Sequence, residues 1–214
     1  MASQALSAPS RDVSSNPPPL PTHHHGTNPL QPQTLIALEA SPEQTFQSFT
    51  ADTAWTLGTA LRERILSLPS TQRKPALISI ASATATGGGP PHILFQCATE
   101  SGTVPDNENW VRRKRNTVLR WGISSWAMRQ KTIAGLGAGA PAAEVESAFV
   151  KKFALASGNG GAVADEYAIH GGGYPIRVRG VEGVVAVAVV SGLKQEDDHQ
   201  VVAETIKEVL ARGN

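Results

Sequence analysis

Two pairs of short β-rich runs, each folded back across a glycine-rich segment, constrain this chain more than any other feature. Residues 76–81 (ALISIA) and 92–98 (HILFQCA) flank the turn material of residues 84–91, and residues 174–178 and 184–190 flank residues 180–183. Apolar runs bounded by glycine and proline read as strands joined by turns, so each pair predicts two neighbouring antiparallel strands. Helical spacing surrounds them. Ala54, Leu57, Gly58, Leu61, Ile65 and Leu68 recur every three or four residues, with Thr50 or Asp52 as an N-cap and Pro69 as a stop. A second helix is expected over 106–128, a flexible break over 135–141, a weaker helix over 143–155, and a closing helix over 195–211 with Val202, Ile206, Val209 and Leu210 on one stripe. This order lacks the regular strand–helix alternation of a parallel sheet. It predicts an α+β domain, a mostly antiparallel sheet with helices on its faces, whose uncovered edges favour self-association.

Length and charge narrow the function classes. With 214 residues, 40% hydrophobic, the chain can bury one core. Nineteen basic against 18 acidic side chains give a formal charge of +1, too little for a dedicated nucleic-acid or membrane-surface binder. No apolar run approaches the ~20 residues that cross a bilayer, and the start lacks a signal pattern. The single cysteine, Cys97, excludes an intrachain disulfide or a multi-cysteine zinc site and fits a reducing, cytoplasmic setting. Residues 1–33 hold seven of the fifteen prolines and only Arg11 and Asp12 as charges, which predicts a disordered tail. His23, His24 and His25 within it lack a distant ligand set and read as low complexity.

Several motifs are tempting and fail. Gly135, Gly137 and Gly139 follow a helix rather than a strand, which argues against a dinucleotide site, and residues 87–89 precede no Lys-Ser or Lys-Thr pair. Ser125 and Ser191 sit in no Gly-x-Ser-x-Gly elbow, and Cys97 lies in an apolar strand as an inert small hydrophobe. The basic run 112–115 cannot form one flat strip, because consecutive helical residues fan out at ~100° each. On the wheel Lys114 falls between the Trp110 and Val111/Val118 directions and so points inward. Two readings of it stay open: the ammonium snorkels to a rim, or it meets an anionic ligand.

The second hairpin adds a convergence. The start of its first strand lies beside the end of its second, so His170 with Gly171, Gly172 and Gly173 should meet residues 191–199 at one sheet end. Asp198 suits a helix's first turn with or without a ligand. His199 leads the inward stripe of the closing helix. A satisfied core histidine is the commoner outcome there, and a metal or haem-iron ligand, shared with His170, is the sharper alternative.

Residues 52–58 (DTAWTLG), 105–118 (PDNENWVRRKRNTV), Ser124-Ser125, 170–176 (HGGGYPI) and 190–193 (VSGL) with Asp198-His199 together resemble the haem-degrading (HbpS-like, GlcG-like) family, in its fungal and bacterial branch. The resemblance runs from about Phe46 to the C-terminus, so 46–214 is the expected domain. It implies a three-layer α-β-α, profilin-like domain that assembles into homo-oligomers and binds haem, a corrinoid or another small, anionic ligand. With the convergence above, it places the ligand against Trp110, Lys114, Arg115, His170, Gly171, Gly172, Asp198 and His199, with His170 or His199 on any metal. Lys114 and Arg115 would neutralise propionates or another carboxylate. The chain departs from the usual pattern in its proline-rich start, in its glycine-alanine insertion near 135–143, and in lacking a Cys-Pro or Cys-x-x-Cys-His haem signature. No residue specifies catalysis. A non-catalytic scaffold or interaction protein is the rival reading.

Overall fold

The computed structural model describes residues 31–84, 91–137, 139–155 and 162–213. Most of the expected tail, its three histidines and most of the 84–91 turn lie outside the described residues. Gln31, Pro32 and Gln33 do not continue a tail: they open helix α1 (Pro32–Glu39), followed by a single 3-10 turn and the two-residue strand β1 (Thr45–Phe46). Then come α2 (Ala51–Ser67), β2 (Leu77–Ser82), β3 (Ile93–Ala98), α3 (Pro105–Trp121), α4 (Ser125–Leu136), α5 (Ala142–Lys152), the single turn α6 (Ala162–Asp165), β4 (Gly173–Val178), β5 (Ala186–Ser191) and α7 (Gln195–Ala211).

The strands form one mixed sheet in the order β1-β4-β5-β2-β3. Both expected hairpins are present as the antiparallel pairs β2–β3 and β4–β5, and β2 also pairs antiparallel with β5. Only the β1–β4 pairing is parallel. β5 lies in the interior of the sheet and its run AVAVVS is buried on both faces. Ala186, Ala188 and Val190 pack toward α2 and α7, with Leu57, Leu61, Ile65, Val202 and Ile206. Val187 and Val189 meet Val111 and Val118 of α3 on the opposite face. The result is the expected three-layer α-β-α architecture. Met128, Val145, Phe149 and Ile169 form a separate cluster among α4, α5 and the segment before β4.

The single long helix expected over 106–128 is instead two. α3 stops at Gly122, which adopts a left-handed φ of 67°, and Ser124 caps α4 by accepting from the Ala127 N–H at 2.9 Å. α4 continues to Leu136, so Gly135 is helical and the break begins two residues later than expected. α2 begins as expected, with the Thr50 hydroxyl accepting from the Thr53 N–H at 3.3 Å.

Gly58 sets how closely α2 approaches β3. A Cβ there would lie 2.3 Å from the Phe95 ring, inside a core that has no slack. Gly58→Ala should therefore destabilise the fold by about 1–3 kcal/mol, read as a lower urea midpoint with an unchanged denaturant slope.

Candidate functional site

Lys114 lies inward on α3, 3% exposed. Its ammonium donates to Asp198 Oδ2 and to the Val190 carbonyl, each at 2.9 Å. Asp198 is 2% exposed, and its Oδ1 accepts from the Leu193 N–H at 3.1 Å. Burial pushes the Asp198 carboxyl up, opposed first by the Lys114 ammonium and then by the Leu193 and Gly192 N–H groups. Lys114 therefore does not snorkel to a rim. Its charge is matched inside the protein, and the pair ties α3 to the end of β5 and the first turns of α7.

Above this pair opens a cavity of about 270 Å³, lined by Trp110, Lys114, His170 and Asp198 with Asn107, Ser191, Gly192, Leu193 and Gln195. The sequence pattern of 105–110 explains one wall. Pro105 starts α3, Asn107 accepts from the Val104 N–H at 2.8 Å, and its amide donates to the Ser191 carbonyl at 3.1 Å. Trp110 stands edge-to-face against His170 with centroids 4.8 Å apart, and the Arg113 guanidinium lies over the indole at 4.8 Å. His170 Nε2 is 3.4 Å from Glu146 Oε1, while its Nδ1 is buried with no partner. Burial pushes the His170 pKa down, and Glu146 resists, so the ring is neutral at pH 7.

The other expected site residues stand apart from this cavity. Gly171 and Gly172 pack against protein: a Cβ on Gly171 would meet the Gln195 carbonyl at 2.0 Å, and one on Gly172 the Val190 carbonyl at 2.3 Å. Arg115 points to the far side of the Val111/Val118 line, where its buried Nε and Nη1 have no acceptor. His199 is 7% exposed behind the cavity wall, tilted against Tyr174 and Trp126 with centroids 5.8 and 6.1 Å away. Its Nε2 faces Glu39 Oε1 at 3.7 Å. The two imidazoles thus address different carboxylates. Among the described residues no group of three or more His, Cys, Asp or Glu side chains could hold a metal ion.

Glu39 is the buried functional-type residue that sequence reasoning missed. It closes α1 at 4% exposure, accepting from the Ser124 hydroxyl at 2.6 Å and the Ser124 N–H at 3.3 Å. Burial pushes its pKa to about 7, and burial pushes that of His199 to about 3. The two act on stability with opposite sign. Glu39 holds its proton more tightly folded than unfolded, so its contribution falls as pH rises from the ordinary 4.5 to about 7. His199 resists protonation when folded, so stability is lost as pH falls from 6.5 toward 3.

Lys114→Met should cost about 3–5 kcal/mol by stranding the Asp198 carboxylate, and Lys114→Met/Asp198→Leu should recover most of it; urea midpoints at pH 7 measure both. Across a pH series, Glu39→Gln should shrink the decline between about 4.5 and 7, leaving the share that the buried Asp198 carboxyl contributes, and His199→Leu should flatten the acid limb below 6.5.

Residues 49–207 match the family model described as haem degrading protein HbpS-like. The chain is 35% identical over 174 residues to a UPF0303 protein of Rhizobium etli, covering 81% of this chain and 87% of that one. It is 33% identical to a UPF0303 protein of Streptomyces coelicolor, covering 86% and 98%. Among solved structures, the Ybr137w protein superposes with a TM-score of 0.67 at 28% identity, covering 87% of this chain and 92% of that one. Klebsiella pneumoniae ORFY shares the fold alone, with a TM-score of 0.51 at 15% identity over 81% and 98%. With a family model over most of its length and relatives above 30% identity, this chain belongs to the HbpS-like family.

Proposed function

We propose that this chain is an oligomeric small-ligand-binding protein of the reducing cytoplasm, whose ligand occupies the cavity between Trp110, His170 and the Lys114–Asp198 pair. One observation carries the reading. Two residues of its lining, His170 and Gln195, each carry a buried polar atom with no protein partner, Nδ1 and Oε1 respectively, and a buried polar group left unpaired costs about 1–3 kcal/mol. A ligand that hydrogen-bonds there and lies against the Trp110 ring would remove that cost. Among the described residues no helix is long and apolar enough to cross a membrane.

Haem is the group that the family's description suggests, and the residues do not fit it as an enclosed cofactor. The cavity, at about 270 Å³, is below the roughly 300–1,000 Å³ of ordinary small-molecule sites. His170 is the one imidazole on its wall, since His199 is shielded behind it and turned to Glu39. The Lys114 charge that would meet a propionate is already matched by Asp198, and Arg115 is turned ~100° round α3 from it and is not among the residues lining the cavity. These observations favour a compact, polar, ring-bearing ligand of low net charge.

Native mass spectrometry of untagged protein, against a denatured sample, tests this. The expected result is a retained molecule smaller than a porphyrin, lost in Trp110→Ala and His170→Ala variants that still fold. In parallel, haemin titration should give only nonsaturable uptake at the Soret band. A stoichiometric, saturable Soret shift abolished by His170→Ala would overturn the compact-ligand reading in favour of haem. Variants that lose assembly while the wild type carries no ligand would favour an interaction protein instead.

A further inference from the structure

Helix α1 is held to the protein by a carboxyl rather than by an apolar face. Its buried residues are Pro32 and Glu39, and Leu38 is 48% exposed. Among the described residues, Leu35, Ile36 and Leu38 join no hydrophobic core cluster, and the hydrogen bonds that tie the helix to the rest of the fold are those Glu39 accepts from the Ser124 hydroxyl and N–H at the start of α4. A segment with so little buried apolar surface opens at a far lower free energy than the whole fold. It also stands outside the family match, which begins at residue 49.

The anchored chain starts just after it. Gln44 donates to the Ala203 carbonyl at 3.4 Å and accepts from the Tyr174 hydroxyl at 3.2 Å, and Phe46 is fully buried in the core. Residues 40–43 between them make local bonds: the Ala40 N–H donates to the Ile36 carbonyl, and the Ser41 carbonyl accepts from the Thr45 hydroxyl. On the inner side of the Glu39 carboxyl lies His199. Its Nε2 is 3.7 Å from Glu39 Oε1, too far for a hydrogen bond, and its Nδ1 is buried without a partner. Tyr174 and Trp126 flank the ring, and Glu39 closes its polar end.

We propose that α1 is a hinged strap, pivoting on residues 40–43 and latched by the Glu39 carboxyl at the N-terminus of α4, and that its opening uncovers His199. The device is independent of what the cavity binds. Closed, it favours the neutral form of both groups: burial raises the Glu39 pKa to about 7, opposed by Ser124 and the Arg177 guanidinium, and lowers that of His199 to about 3. From β4 the same carboxyl faces Tyr174, whose hydroxyl burial keeps protonated. Opening returns the pair toward 4.5 and 6.5. Glu39 then favours opening as pH rises from 4.5 to about 7, and His199 favours it as pH falls from 6.5 toward 3. Between 4.5 and 6.5 the two offset each other, one proton leaving Glu39 for each that His199 takes.

Hydrogen exchange on the full chain, corrected for intrinsic rates, tests the strap. At pH 7 the α1 amides should exchange far faster than those of α2 and α7. Glu39→Ala should speed α1 exchange by about tenfold or more, the equivalent of one lost hydrogen bond to a buried partner, and leave α2 and α7 as they were. Glu39→Gln, which keeps an acceptor for Ser124, should hold α1 closed. Diethyl pyrocarbonate should modify His199 faster in Glu39→Ala than in Glu39→Gln by the same factor. Between pH 4.5 and 6.5, α1 opening should be nearly level in the wild type, rise toward acid in Glu39→Gln and rise toward neutral in His199→Leu. Wild-type α1 amides as protected as those of α2 and α7 would overturn the strap, whether or not Glu39→Ala folds. Loss of α7 protection together with that of α1 in Glu39→Ala would do the same. Slopes of one sign in the two single variants, or an open α1 with His199 still unreactive, would overturn the uncovering of the imidazole.

Discussion

The Lys114–Asp198 ion pair is the contact on which the architecture of the site depends. It joins the middle of α3, the end of β5 and the start of α7, three segments far apart in sequence, through two 2.9 Å bonds from one ammonium. The glycines before and at the start of β4 fit around it. A Cβ on Gly172 would come within 3.0 Å of Lys114 Nζ, and one on Gly173 within 3.0 Å of the Lys114 carbonyl. The glycine run therefore lets the chain pass close to the pair rather than cradling a ligand directly. Burying both charges is costly and is offset by the two bonds from the ammonium and by the Leu193 N–H on the other carboxylate oxygen. What that cost secures is a fixed floor for the cavity and a fixed position for Trp110 and His170 on its walls.

Much of this was legible in the sequence, for physical reasons that differ by residue. Strand pairs and the α2 and α7 stripes announce themselves by periodicity, and Lys114 by its angle between Trp110 and Val111. That same wheel also separates Arg115 from Lys114 by ~100°, enough to send it across the Val111/Val118 line. Grouping the two by shared charge obscured this. Asp198 fits a helix's first turn on dipole grounds alone, so its partner could be seen only once Val190 and α3 were placed in space. Glu39 gave no local signal at all: α1 follows a proline-rich stretch, and its carboxyl finds Ser124 across 85 residues. β1, two residues long, is too short to show a period. The division of α3 from α4 did have a signal in Gly122 and Ser124, a helix stop followed by an N-cap.

Family membership and site chemistry answer different questions. The HbpS-like model spans most of the chain and the fold agrees with it. A shared fold hosts whatever its side chains permit. Here the two histidines face different carboxylates, the cavity is compact, and its one lysine is neutralised within the protein. The compact-ligand proposal rests on these local facts rather than on the family description.

A crystal structure of the protein as purified, without added ligand, tests the central claim most directly. The account predicts density for a compact molecule against Trp110, reaching His170 Nδ1 or Gln195, with Lys114 and Asp198 still paired beneath it. A porphyrin bound through His170, or a Lys114 ammonium released from Asp198 to hold the ligand, would contradict it.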